Sequence, residues 1–158
     1  QRSGNIQALV LSPTRELSQQ IAKQLFKFTK YNTDKIFTEA VYGGEHISKQ
    51  LSRLTRTTHV LVATPGRLVD LLERKVVDLS KVRTVVLDEA DEMLHMGFKK
   101  ELESILNQVP GKRNTWLFSA TIPKEVKLII NNYLSADAES VQVSKEEVVN
   151  KNIEHQIF

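Results

Sequence analysis

A chain of 158 residues, 41% hydrophobic and 26% charged, can build one compact domain with its own core but not two, and its composition excludes an intrinsically disordered chain. It has no cysteine, which excludes a disulfide framework and a thiolate metal site, and its four histidines, His46, His59, His95 and His155, show no ligand spacing. The formal charge of +3 permits a basic patch without requiring one, and with no signal-peptide pattern and no apolar run of membrane-spanning length the expected setting is reducing, cytoplasmic and free of membrane.

Along the chain, short apolar runs of strand length alternate with segments whose apolar residues recur every three or four positions. That alternation predicts an α/β fold with a mostly parallel sheet and crossover helices. A strand at Gln7 to Leu11 leads into a helix with a stripe of Leu17, Ile21, Leu25 and Phe28. A second strand, about Lys35 to Val41, ends at Gly43-Gly44, and Ile47, Leu51 and Leu54 mark the next helix. The third strand, about His59 to Ala63, meets Thr64-Pro65, where Thr is expected to cap and Pro to open a helix that buries Leu68, Leu71 and Leu72. The fourth, Val82 to Leu87, is apolar at nearly every position and is expected to be central, covered on both faces. A helix carrying Leu102, Ile105 and Leu106 follows, ending before Pro110-Gly111. Asn114 to Phe118 reads as the fifth strand, Pro123 to Tyr133 as helix, Ser140 to Val143 as a short last strand, and Ser144 to Phe158 as a linker.

In an open parallel sheet, ligands gather beyond the carboxyl ends of the strands. The segments expected there are Ser12 to Glu16, Gly43-Gly44, Thr64 to Arg67, Asp88 to Asp91 and Ser119 to Thr121. Asp88-Glu89 is the most informative: a nucleoside triphosphatase needs one carboxylate at a strand end to hold Mg²⁺ and a second nearby to orient the attacking water. Two acids capping the following helix would look the same, and that pair alone leaves both readings open. Pro13-Thr14-Arg15 and Thr64-Pro65-Gly66-Arg67 each start a helix, where free N–H groups and the positive end of the dipole attract phosphate. Arg15 and Arg67 add charge, while Gly66 and Gly43-Gly44 allow close backbone approach. Taken singly, these are equally ordinary surface charges and turn formers.

The run Asp88-Glu89-Ala90-Asp91 resembles the tetrapeptide for which the DEAD-box RNA helicases are named. The resemblance extends, in the family's order, to Pro13-Thr14-Arg15-Glu16-Leu17, Gly43-Gly44, Thr64-Pro65-Gly66-Arg67 and Ser119-Ala120-Thr121, and so covers essentially the whole chain. It implies a three-layer RecA-like lobe that uses ATP and Mg²⁺. Asp88 would hold Mg²⁺ through its water shell, Glu89 would position or activate the hydrolytic water, and Asp91 would hydrogen-bond with Ser119 and Thr121, tying nucleotide state to the shape of the lobe. The resemblance also implies RNA binding through phosphate and 2′-hydroxyl groups by Pro13, Thr14, Arg15, Gly43, Gly44, Thr64, Pro65, Gly66 and Arg67, independent of base sequence. The low aromatic content, 6%, agrees with this, and the one tryptophan, Trp116, is expected in the core.

The pattern of Gly, four residues and Gly-Lys-Ser/Thr that cradles a triphosphate is absent from the chain. At the one Gly-Lys pair, Gly111-Lys112, Leu106 stands where the first glycine belongs and Arg113 where the hydroxyl residue belongs. By the resemblance, that loop and its strand precede Gln1 and a second RecA-like lobe follows Phe158. The chain is therefore expected to be a single partial amino-terminal helicase domain, residues 1–158, incomplete at its amino end. The missing strand would leave an apolar edge at Asn114 to Phe118, prone to self-association or to closure by the last strand. Two other readings stand beside the enzyme: a non-hydrolytic adaptor that binds RNA or a helicase, and a DNA-directed helicase, the latter disfavoured by the spelling of the motifs.

Overall fold

The computed structural model describes residues 6–143. Its strands are β1 (Ala8–Leu11), β2 (Thr38–Val41), β3 (Val60–Ala63), β4 (Thr84–Leu87) and β5 (Asn114–Leu117), and its helices are α1 (Arg15–Thr29), α2 (Ile47–Leu54), α3 (Pro65–Glu73), α4 (Ala90–His95), α5 (Lys99–Gln108) and α6 (Lys124–Tyr133). The strands form one sheet in the order β2-β3-β1-β4-β5, and every pairing is parallel. Helices bridge successive strands because a parallel pair cannot be joined by a tight turn. The step from β1 to β2 runs one way across the sheet and the later steps run back. Right-handed crossovers therefore put α1 on one face and α2, α3, α4 and α5 on the other.

The two faces are covered unequally. Leu9, Leu11, Leu61, Ala63, Val85 and Leu87 alternate onto one face and join Leu68, Leu71, Ala90, Met93, Leu102, Ile105 and Leu106 in the main core. Val10, Val62, Val86 and Trp116 share the opposite face, as their common register requires. There α1 packs on β2 and β3 and makes no comparable contact with β4 or β5.

Five expectations are corrected, the first two by that asymmetry. The centre of the sheet is β1, and β4 lies one place from the edge, with Val85 and Leu87 buried but Thr84 and Val86 only half-buried. Trp116 is 58% exposed; it lies on the uncovered face of the edge strand, and apolar character alone did not reveal which face that was. Phe28 is 77% exposed, so the stripe on α1 ends at Leu25. Ser140 to Val143 forms no strand, and Val141 is exposed. The segment after β4 is two helices rather than one, broken where Gly97 adopts φ +86. Ser144 to Phe158 lies outside the described residues. The edge at β5 has no partner among the described residues, and a cleft lined by Trp116, Phe118, Tyr133, Leu134 and Val141 runs along it.

Candidate functional site

The strands end flush. Leu11 pairs with both Ala63 and Leu87, Val41 with Ala63, and Leu87 with Leu117. Each neighbouring strand end is then stitched to the residue that leaves the sheet: Thr64 N donates to Val41 O at 3.0 Å, Ser12 N to Ala63 O at 3.0 Å, Asp88 N to Leu11 O at 2.9 Å and Phe118 N to Leu87 O at 2.8 Å. All five segments singled out in the sequence therefore leave the sheet along one rim. Their order is Gly43-Gly44, Thr64 to Arg67, Ser12 to Glu16, Asp88 to Asp91, Ser119 to Thr121. The segments expected to touch phosphate backbone occupy one half of the rim, and the acidic and hydroxyl segments the other.

On the acidic half, Asp88 is half-buried and Glu89 exposed, and neither carboxylate has a hydrogen-bond or ion-pair partner among the described residues. Glu89 holds φ 51 and ψ 53, a left-handed conformation, at the start of α4. A Cβ makes that region costly by about 1–2 kcal/mol, so the turn from strand to helix is made under strain. The loop after β5 lies against it. The Asp91 Oδ2 atom accepts from Thr121 N at 3.0 Å and Thr121 Oγ1 at 2.8 Å, Asp91 N donates to Ser119 Oγ at 3.1 Å, and Ser119 Oγ donates to Thr121 O at 2.7 Å. Ala90 N donates to Phe118 O at 3.0 Å. Burial pushes the Asp91 carboxyl up, but the donors from Thr121, with the Ser119 hydroxyl and the Glu92 N–H, outweigh it and hold the group below the ordinary carboxylate value.

On the other half, Thr14 caps α1, its hydroxyl accepting from Leu17 N at 3.2 Å, and Pro13 is buried beneath it. The hydroxyls of Ser12 and Ser18, both buried, share a 2.7 Å hydrogen bond that fixes the start of this helix to the sheet. Arg15 is exposed, its guanidinium 5.1 Å from the centre of the Tyr42 ring, and Gln19 Nε2 donates to the Tyr42 hydroxyl at 2.8 Å. Tyr42 is in turn held by Gln50, which accepts from its N–H at 3.2 Å and donates to its carbonyl at 2.8 Å. Pro65 opens α3, but Thr64 supplies no side-chain cap. The first N–H groups of that helix, at Gly66 and Arg67, are thus left without a capping side chain, and a Cβ on Gly66 would meet only the Phe98 ring at 3.7 Å.

One placement differs from the plain reading of the motifs. Arg67 is not a free cation: Nη1 and Nη2 both donate to the Glu45 carbonyl at 3.1 Å, joining the start of α3 to the turn after β2. That turn carries Gly44 at φ +82, a conformation that favours glycine. Gln50, Arg53 and Glu45, which organise it, belong to none of the segments picked from sequence. Gln50 left one signal, a polar residue on the apolar face of a short helix.

This geometry has relatives. The DEAD/DEAH box helicase family model matches residues 1–129, and the chain belongs to that family. It is 43% identical over 152 residues to the DEAD-box ATP-dependent RNA helicase CshA of Bacillus licheniformis, covering 96% of this chain and 31% of that protein. It is 43% identical over 155 residues to the RNA helicase CrhR of Synechocystis, covering 98% of this chain and 31% of that one. Among solved structures, the yeast DEAD-box splicing factor Prp28 superposes with a TM-score of 0.78 at 36% identity over 82% of this chain and 31% of that one. A DEAD box protein from Methanococcus jannaschii does so with 0.76 at 36% identity, covering 84% and 36%. The fold is RecA-like, and the chain spans about a third of the length of the curated relatives it matches.

Proposed function

We propose that this chain is part of an ATP-dependent RNA helicase and supplies one half each of two sites that share the rim. The observation that carries the reading is the division of the rim: unpaired carboxylates on β4 beside a hydroxyl loop on β5, and uncapped or cationic helix starts on β1 and β3. Asp88 suits Mg²⁺, which takes one or two carboxylates and keeps several waters, and no cluster of three acidic or imidazole groups that would form a full protein cage exists among the described residues. Asp88 would hold the metal, and Mg²⁺ and ATP, when bound, would supply the positive charge and the phosphoryl group. Glu89 orients and deprotonates the attacking water. Asp91, Ser119 and Thr121 join the two loops that flank that chemistry and relay nucleotide state to the lobe. A second RecA-like lobe elsewhere in the protein completes both sites, and the working location is cytoplasmic.

RNA lies across the other half of the rim. Arg15 meets a phosphate through its charge, the N–H groups of Gly66 and Arg67 meet another, and the turn at Gly43-Gly44 admits the backbone closely; Pro13, Thr14, Thr64 and Pro65 shape the two helix starts. In the full-length protein, Arg15→Ala should weaken binding to single-stranded RNA and reduce the slope of log affinity against log salt by about 0.7, the loss of one phosphate contact. Fluorescence anisotropy over a salt series measures both. An unchanged affinity and slope would count against RNA lying on this half of the rim. Nothing observed favours the non-hydrolytic adaptor.

The open edge at β5 is the other surface to test. Isolated residues 1–158 should associate with themselves, and Trp116→Lys should shift them toward monomer in light scattering, because a charge on an edge strand blocks pairing with another chain. A wild-type chain that stays monomeric at high concentration rejects self-association.

A further inference from the structure

We propose that Arg53 and Glu45 form a clamp that holds the Gly43-Gly44 turn in the conformation that receives RNA. The inference rests on the RNA reading above and adds two positioning residues to it.

The turn cannot hold itself. Both glycines are exposed, nothing lies within 4 Å of where a Cβ of Gly43 would be, and Gly44 takes a positive φ. A pair of glycines is the most freely rotating element a chain can contain, and fixing it on binding costs affinity unless it is ordered beforehand. The next residue provides that order from two sides. Arg67, at the start of α3, takes the Glu45 carbonyl. Arg53, in the last turn of α2, takes the Glu45 carboxylate with both nitrogens of its fork, Nη2 to Oε2 at 2.8 Å and Nη1 to Oε1 at 3.2 Å, and reaches Ala40 O at 3.4 Å.

Ion pairs on an open surface are worth little, but this one is two-pronged and partly shielded, with side-chain exposures of 31% for Arg53 and 19% for Glu45. The guanidinium also faces Glu39 at 3.4 Å through Nε. Its effects on the two acids differ: hydrogen bonding from Arg53 holds the Glu45 carboxyl below its ordinary value, whereas at Glu39 burial outweighs Arg53 and raises the carboxyl. Two hydrogen bonds to Glu45 against one 3.4 Å contact with Glu39 make Glu45 the principal partner of Arg53. The turn hangs between α2 and α3, and the charge that fixes it is neutralised within the protein.

The clamp makes a prediction opposite in sign to simple electrostatics. Removing an acid from a surface that binds a polyanion should tighten binding if charge alone matters. If Glu45 is a positioning residue, Glu45→Ala in the full-length protein should weaken binding to a labelled oligouridine by roughly five- to thirtyfold, the equivalent of ordering about one residue again. The salt slope should stay as in wild type, because no phosphate contact is lost. Arg53→Lys keeps the charge and loses the fork, and should also weaken binding with an unchanged slope. The thermal unfolding midpoint separates loss of the clamp from loss of the fold, and if Glu45→Ala unfolds, Arg53→Lys decides. Tighter or unchanged binding in a folded Glu45→Ala, with Arg15→Ala still impaired, overturns the clamp and leaves the RNA reading standing. If Arg15→Ala is also unaffected, the RNA reading itself falls.

Discussion

Glu89→Gln in the full-length protein should lower RNA-stimulated ATP turnover by about 10²–10⁴-fold, the usual contribution of a positioned general base, while ATP affinity stays close to wild type. The amide has nearly the shape of the carboxylate, so the left-handed turn at residue 89 and the helix it opens keep their geometry. What disappears is the basic oxygen. Asp88 is untouched, and its side chain has no partner among the described residues whose loss would disturb it. Phosphate release measured beside nucleotide binding separates the two roles: a loss of affinity equal to the loss of turnover would make Glu89 a binding group, and undiminished turnover would reject its role in hydrolysis.

The second large effect is expected at the loop after β5. Changing Ser119 and Thr121 together to Ala removes the hydroxyl that donates to Asp91 Oδ2, the acceptor for Asp91 N and the bond that closes the loop on itself. Two bonds donated by backbone N–H groups survive, Thr121 N to Asp91 Oδ2 and Ala90 N to Phe118 O. Coupling between sites is typically worth 1–3 kcal/mol, so strand separation should fall by about 5- to 150-fold, with hydrolysis retained because Asp88 and Glu89 keep their positions. A strand-displacement assay run beside phosphate release tests this, and survival of both activities at wild-type level would rule out the coupling role. Acid does not mimic the double variant in any working range. The Asp91 carboxyl is lower in the folded protein than its ordinary value of 3.8, so the tie contributes fully above that value and is lost only as pH falls through the lower, folded one. Its pH profile near neutrality should therefore match that of wild type.

Much of the rim was legible because a strand end is written locally. Apolar alternation stops, a proline or glycine follows, and a helical period begins, so Thr64-Pro65 or Leu87-Asp88 can be placed without knowing what lies beside it. The break at Gly97 carries the same kind of signal, a glycine after a short helical run. What local pattern cannot carry is coverage. Trp116 and Val86 look like core residues until the sheet order puts them on the edge side of the face that α1 covers only at β2 and β3, and Phe28 continues a helical stripe yet is exposed. The contacts around Gly43-Gly44 were hidden for a related reason: Arg67 and Glu45 are 22 residues apart, and Arg53 and Glu45 are 8 apart across a turn. Nothing in spacing distinguishes such arginines from solvated ones.

The left-handed backbone at Glu89 sets folding and chemistry at odds in a single residue. Glycine or asparagine would sit there more comfortably, so selection for heat resistance alone would drift toward them and erase the carboxylate along the way. An engineer seeking a hardier version of this lobe should hold position 89 fixed and look for gains elsewhere.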